Sequence, residues 1–341
     1  MPNIFKGKKI LITGGTGTVG REILRQMLKY EPEVVRIYSR DESKQFEMQE
    51  EFREHQNKIR YLIGNIRDLQ RLKMAVEEAD IVFHTAALKH VYSCEYNPFE
   101  AVKTNILGTQ NVIDAALEKE VEKVILTSSD KAVNPSNAMG VSKLMAEKLI
   151  TAANFYKGQH GTIFSTVRFG NLLGSRGSVI TLFKEQIKKG GPITITDGNM
   201  TRFVLSLQQA VKLCFQATAL AKGGEVFVLK MQSLKIQDLT DTLISLLAPR
   251  FGYEPRKIKR ECVGIKSGEK TYEELITREE ESRTVEAEDL FIILPSIREF
   301  TEAKYEYEGE KLLKRGNYTS ENGKHLSKKR IGEFLYEQAL I

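Results

Sequence analysis

Hydroxyl, carboxyl and amine groups crowd two neighbouring segments of the chain, Thr127-Ser-Ser-Asp-Lys131 and Asn137-Ala-Met-Gly-Val-Ser-Lys143-Leu144. Ser129, Asp130, Lys131 and Lys143 can all exchange protons with a bound molecule. Met139, set among them, has neither an ionisable proton nor a useful acceptor. A second chemistry-bearing stretch lies near the N-terminus, Thr13-Gly-Gly-Thr-Gly-Thr-Val-Gly20, with Gly14, Gly17 and Gly20 spaced as Gly-x-x-Gly-x-x-Gly. Gly14 suits a tight turn, Gly17 a close approach of backbone to pyrophosphate, and Gly20 close packing of a helix on a strand. The helix expected over Arg21-Glu-Ile-Leu-Arg-Gln-Met-Leu then aims its free amides and positive dipole end at phosphate, with Thr16, Thr18 and Val19 at the mouth.

These groups need a scaffold, and the first half of the chain supplies its pattern. Lys9–Thr13, Val34–Tyr38, Asp80–His84 and Lys123–Thr127 are short apolar runs separated by longer amphipathic stretches. Parallel neighbours require crossover helices, so the rhythm predicts an α/β fold: a Rossmann-type doubly wound parallel sheet with ligands at the carboxyl ends of its strands. From about residue 181 the order becomes irregular, with extended pieces over 192–197 and 225–230. We therefore expect a mainly dinucleotide-binding domain over 1–180 and a smaller, partly interleaved substrate lobe over 181–341.

The end of the second strand bears on cofactor choice. Ser39 and Arg40 offer a hydroxyl and a guanidinium where an NAD enzyme usually offers a carboxylate, which favours NADP over NAD; Asp41 still stands within reach of a ribose. Lys44 follows one helical turn later. Asn65 and Ile66, after the third strand, are expected beside adenine, and Ala86, Ala87 and Lys89, after the fourth, beneath the cofactor.

Composition narrows the class. The 341 residues are 41% hydrophobic and 28% charged, which describes an ordinary globular chain. The formal charge of +6 is spread along the sequence, which argues for an anionic small molecule and against nucleic acid. Three cysteines, Cys94, Cys214 and Cys262, lack zinc-site or disulfide spacing, and no cluster has metal-ligand spacing. With no apolar leader and no run of 18 apolar residues, the expected location is the cytoplasm, without membrane insertion.

Beyond the glycine loop, Tyr38-Ser-Arg-Asp-Glu, Ala86-Ala-Leu-Lys-His90, Thr104-Asn105, Ser129-Asp-Lys-Ala-Val-Asn-Pro135, Arg168-Phe-Gly-Asn171, Gly174-Ser-Arg-Gly-Ser-Val179, Met200-Thr-Arg-Phe203 and Gly268-Glu-Lys270 form a distinctive set. Through them the chain resembles the nucleotide-sugar branch of the extended short-chain dehydrogenase/reductase superfamily. Within that branch it is most similar to the inverting UDP-N-acetylglucosamine 4,6-dehydratases of capsule, flagellin and pseudaminic-acid pathways. The likeness covers roughly residues 8 to 275.

That resemblance implies a cycle in which hydride leaves C4 of the sugar, the C5 proton and C6 hydroxyl are lost, and hydride returns to C6. Asp130 would assist loss of the hydroxyl, Lys131 exchange the C5 proton, and Lys143 hold the nicotinamide ribose, with Ser129 beside the C4 oxygen. A lysine base must be partly neutral; burial, the nicotinamide and Lys143 are expected to lower the Lys131 pKa. Met139 occupies the position of the catalytic tyrosine. Three readings follow: Lys143 acts as C4 base through Ser129 or water; the protein forms or reduces only a 5,6-ene-4-ketone; or it binds NADP and nucleotide sugar without catalysis. For the substrate's nucleotide half, Asn171, Arg176, Ser178, Arg202, Glu269 and Glu273 are the candidates, with Lys89 shared, and Glu269 and Glu273 are expected on the uridine ribose. Lys266 stands where similar enzymes carry arginine, and Tyr92 where they carry proline. Relatives of this kind form dimers to hexamers, so a homo-oligomer is expected.

Overall fold

The computed structural model describes residues 3–174, 178–265, 268–297, 303–313 and 318–341. Strands β1 (Lys9–Thr13), β2 (Val34–Ser39), β3 (Ile59–Ile63), β4 (Ile81–His84), β5 (Lys123–Ser129) and β6 (Ile163–Phe169) lie parallel in the order β3-β2-β1-β4-β5-β6. Chain direction across the sheet reverses between β1 and β4, and the crevice above that point is the ligand position of such sheets.

Beyond β6 the same sheet continues. Val226–Leu229 pairs parallel to β6, and Leu290–Ile293, Thr284–Glu286 and Lys311–Leu312 follow as antiparallel neighbours, giving ten strands among the described residues. The remaining strands among the described residues form three small sheets: Thr201–Leu205 lies between Asn171–Leu172 and Gln232–Lys235, Ile193–Ile195 pairs with Arg260–Cys262, and Glu274–Ile276 pairs with Tyr318–Thr319.

Near-continuous apolar runs mark strands buried on both faces. Ile10, Leu11 and Ile12 of β1 and Val124, Ile125 and Leu126 of β5 are all buried. One face carries Ile23, Leu24 and Met27 of the first helix (Thr18–Met27). The other carries Val112, Ile113 and Ala116, together with Ala146, Ile150 and Ala153 of the long helix Ala138–Tyr156.

The long helix starts where Asn137 caps it, its Oδ1 accepting from the Gly140 amide at 2.8 Å, a contact whose loss costs about 1 kcal/mol. Its inward stripe, Met139, Ser142, Lys143, Ala146, Glu147 and Ile150, follows helical spacing. Gly140 lets the helix press on the turn after β5: a Cβ there would sit 2.3 Å from the Lys131 carbonyl oxygen. Among the described residues, no helix is long and apolar enough to cross a membrane.

Candidate active site

The glycine loop takes the form expected from its spacing. Gly14 has φ of +67°, and a Cβ on it would lie 2.7 Å from the backbone of Ala86. Gly20 approaches the turn itself, since its Cβ would fall 2.6 Å from Gly15 Cα. Gly17 caps the first helix without any side-chain hydrogen bond to the first-turn amides, so those amides, including Thr18 and Val19, are available to an anionic ligand. A dinucleotide fits this arrangement.

Around the loop, Thr16 Oγ1 lies 2.7 Å from Ser39 Oγ, which joins the turn to the end of β2. Asp41 turns from the crevice to cap the next helix, its Oδ1 accepting from the Lys44 amide at 3.0 Å while its other oxygen pairs with the Lys44 amine. Arg40 is exposed beside them. Ile66 is buried against Gly108, and the Asn65 carbonyl accepts from Tyr38 at 3.0 Å, so it is Asn65 that presents its residue edge more openly. Ala86 and Ala87 are half-buried after β4; Lys89 is exposed as a residue, and partial desolvation of its amine lowers its pKa.

Two buried residues brace this region: Thr13, a cofactor-binding candidate from the sequence, and His84, which sequence reasoning passed over. Thr13 and His84 are register partners on β1 and β4, and their side chains meet at 2.7 Å. His84 Nε2 continues to Thr109 Oγ1 at 3.1 Å, and Thr109 donates to the Asn105 carbonyl. Burial and then the Lys143 charge push His84 down to about 3, so the ring is neutral. Asn105 reaches Leu88 on one side and Ser142 on the other. The signal for His84 was a polar residue ending an otherwise apolar strand opposite Thr13.

The proton-exchanging groups converge at the carboxyl end of β5. Ser129 Oγ accepts from the Lys131 amide at 3.0 Å, closing the single turn Asp130–Ala132. Asp130 is buried, and its carboxylate accepts from Lys131 Nζ at 2.9 and 3.1 Å. Adjacent residues on a strand point to opposite faces, but this turn brings the two side chains together. Their closeness corrects the expected pKa: burial of the amine opposes its charge, yet the Asp130 and Glu273 carboxylates hold Lys131 above the ordinary lysine range. Lys143 behaves differently. Its Nζ donates to the Thr127 carbonyl at 2.9 Å, and burial, only partly offset by Glu147, pulls it down to about 8.

Met139 is 2% exposed and packs with Cys94, Ala101, Leu88 and Val91. The loop over it ends in the short helix Val91–Tyr96, on which Tyr92 is 83% exposed to solvent.

Of the expected substrate ligands, Asn171, Arg202 and Glu273 come together against Lys131. Asn171 Oδ1 is 3.4 Å from Lys131 Nζ, and its Nδ2 donates to both Glu273 oxygens at 2.7 and 2.8 Å. Arg202 Nε stands 3.4 Å from Glu273 Oε1, while its terminal nitrogens donate to the Thr201, Thr271 and Lys270 carbonyls. Glu273 also accepts from the Phe203 amide at 2.9 Å. Glu269 is exposed on the neighbouring loop, and Ser178 begins the helix Val179–Lys188 with its Oγ 3.4 Å from Thr181 Oγ1. Arg176 and Lys266 lie outside the described residues. Also among the described residues, no group of three His, Cys, Asp or Glu side chains is arranged to hold a metal.

The sheet order, the glycine loop at its switch point and the Ser-Asp-Lys turn over the lysine-bearing helix define a Rossmann-type protein of the short-chain dehydrogenase/reductase class. The sequence profile of the polysaccharide biosynthesis protein family matches residues 10–295, and the chain belongs to that family. A Methanocaldococcus jannaschii protein named as an uncharacterized membrane protein is 51% identical over 335 residues, 98% of this chain and 97% of its own. An inverting UDP-N-acetylglucosamine 4,6-dehydratase of Campylobacter jejuni is 43% identical over 327 residues, 94% of each chain. A UDP-glucose 4-epimerase of Rickettsia typhi is 40% identical over 339 residues, 97% of this chain and 96% of its own. The X-ray structure of Pen from Bacillus thuringiensis superposes with a TM-score of 0.92 at 48% identity, covering 99% of each chain.

Proposed function

We propose that the protein is a nucleotide-sugar enzyme that dehydrates UDP-N-acetylglucosamine at C4–C6 with inversion at C5, using a recycled nicotinamide cofactor. The observation that carries this reading is the Asp130–Lys131 pair at the end of β5. An epimerase needs only oxidation and re-reduction at C4, which leaves an acid and an amine held 2.9 Å apart without a task. A dehydratase needs both.

A nicotinamide cofactor held by the Gly14–Gly20 loop would supply the hydride acceptor for C4 and the hydride donor for C6. The chain's own groups manage the protons. Neutral Lys143, whose pKa near 8 leaves a useful free-base fraction, takes the C4 hydroxyl proton through Ser129 or a water, in place of the phenol that Met139 cannot supply. The resulting ketone acidifies C5. Transfer of one proton from Lys131 Nζ to Asp130 Oδ2 converts the ammonium–carboxylate pair into a neutral amine and a carboxylic acid with no change in net charge. The amine then takes the C5 proton as the acid protonates the departing C6 hydroxyl, which leaves as water and restores the ion pair. With hydride delivered to C6, the Lys131 ammonium, exchanged with solvent, reprotonates C5, and the proton held by Lys143 passes through water back to the Asp130–Lys131 pair, so the balance is substrate to 6-deoxy-4-ketone plus water.

Ser39 and Arg40 favour NADP, because Asp41, the carboxylate nearest the ribose position, is engaged with Lys44. Glu269 and Arg202 are assigned to the UDP portion. The burial of Met139 in an apolar cluster supports one second reading, a partial enzyme that forms or reduces the 5,6-ene-4-ketone.

Incubation with UDP-N-acetylglucosamine in deuterated water, without added reductant, separates these readings by mass and proton NMR. Dehydration gives a C6 methyl group and deuterium at an inverted C5. A persistent exocyclic alkene identifies the partial enzyme. Unchanged substrate rejects both forward reactions and leaves reduction of the ene-ketone, tested with NADPH.

A further inference from the structure

Glu273 was expected on the uridine ribose, but its surroundings give it other work. The side chain is buried, and its backbone is locked to Ser320 by hydrogen bonds in both directions, at 2.8 and 2.9 Å. A carboxylate is an acceptor only, so its two oxygens, both within 2.8 Å of Asn171 Nδ2, fix which way that amide faces. The Asn171 oxygen is thereby turned toward Lys131 Nζ, at 3.4 Å. Glu273 Oε1 itself lies 3.7 Å from the same amine. Lys131 is thus held between Asp130 on one side and the Asn171–Glu273 unit on the other.

We propose that Glu273 is a positioning residue for Lys131: it orients the Asn171 amide against the amine and, through its charge, sets how firmly Lys131 keeps its proton. This rests on the dehydration reading for its role in turnover, but not for its effect on the amine. The charged groups facing Glu273 are Asp130 and Lys131 from the turn after β5, Arg202 from the strand Thr201–Leu205, and Lys270 from the preceding loop. Burial and then the Asp130 charge push the Glu273 carboxyl up to about 7, so its full charge acts on Lys131 only above neutral pH. The site consequently has two carboxylates competing for the one amine, and the amine is freed for proton abstraction more readily when Glu273 is neutral.

The test is trace acetylation of lysines by acetic anhydride in the full-length protein at pH 8, read by mass spectrometry, for the wild type, Glu273→Gln and Glu273→Asp. Loss of one charge within 4 Å lowers a lysine pKa by about one unit, so the neutral fraction and the labelling rate of Lys131 rise about tenfold in Glu273→Gln. Lys143 labelling serves as internal control and stays within about twofold. Glu273→Asp, which keeps the charge, labels Lys131 nearer the wild-type rate, and separates the electrostatic effect from any loss of fold in the glutamine variant. Unchanged Lys131 labelling in Glu273→Gln overturns the proposal, and loss of UDP binding with unchanged labelling returns Glu273 to the nucleotide. Faster labelling in a protein that leaves UDP-N-acetylglucosamine untouched upholds the proposal while rejecting the dehydration reading.

Discussion

Lys131 Nζ stands 2.9 Å from Oδ2 of Asp130, the residue that directly precedes it. The pair forms because Ser129 caps a single turn at the end of β5 and bends two consecutive side chains into one pocket. An acid and a base stored as an ion pair need only one proton shift to become reactive, and neither can be replaced without leaving the other mispaired.

Lys131→Met should therefore reduce dehydration by about 100-fold to 10000-fold. It should also abolish deuterium incorporation at C5. Asp130→Asn should slow water loss by a similar factor. Single-turnover absorbance of the reduced nicotinamide gives the control: C4 oxidation persists in both variants if Lys143 is the C4 base.

The Lys143 pKa near 8 gives an activity prediction and a stability prediction. C4 oxidation should rise with pH through about 8 and level off above it, and Lys143→Met should lose it. For folding, the native pKa lies below the ordinary value of 10.5, so the unfolded chain binds more protons between the two. Stability from this group should increase as pH rises from about 8 toward 10.5, by at most roughly 3 kcal/mol. Urea denaturation of Lys143→Met should show that slope removed.

Met139→Leu conserves volume in the cluster with Cys94 and Ala101 and should cost less than about 1.5 kcal/mol. Turnover should remain close to wild type. A large loss of activity at unchanged melting temperature would show that the thioether takes part in the reaction.

Arg168 offers a purely structural prediction. It is fully buried, pairs with Glu147 at 2.6 Å and Glu280 at 3.0 Å, and donates to the Leu275 carbonyl at 2.8 Å. Glu147→Gln should cost about 3–5 kcal/mol, because it leaves part of a buried charge uncompensated. Since Leu275 follows Glu273 by two residues, the loss should be visible in thermal melts and in weakened order around Glu273.

On the proposed NADP reading, Arg40→Ala should weaken NADP binding about tenfold more than NAD binding, measured as the ratio of dissociation constants by titration calorimetry. Equal loss for both cofactors would give Arg40 a general electrostatic role instead.

The sequence by itself determined the parallel half of the sheet and the form of the glycine loop, because both depend on local rules. Apolar runs buried on two faces specify the strands, and Gly14 at φ of +67° is a position that side-chain-bearing residues rarely adopt. It also identified Ser129, Asp130, Lys131, Met139 and Lys143 as one group, since a strand end and the helix that follows it lie close in the chain. Only the tertiary structure decided how those groups are charged. Lys131 and Lys143 are the same residue type, yet two carboxylates raise one pKa and burial lowers the other. Nor could spacing reveal that Glu273, far along the chain from Lys131, stands 3.7 Å from its amine, because that contact depends on strands from both halves of the chain meeting at one edge of the site. Electrostatic interactions fall off with distance in space, and distance along the sequence carries little of that information.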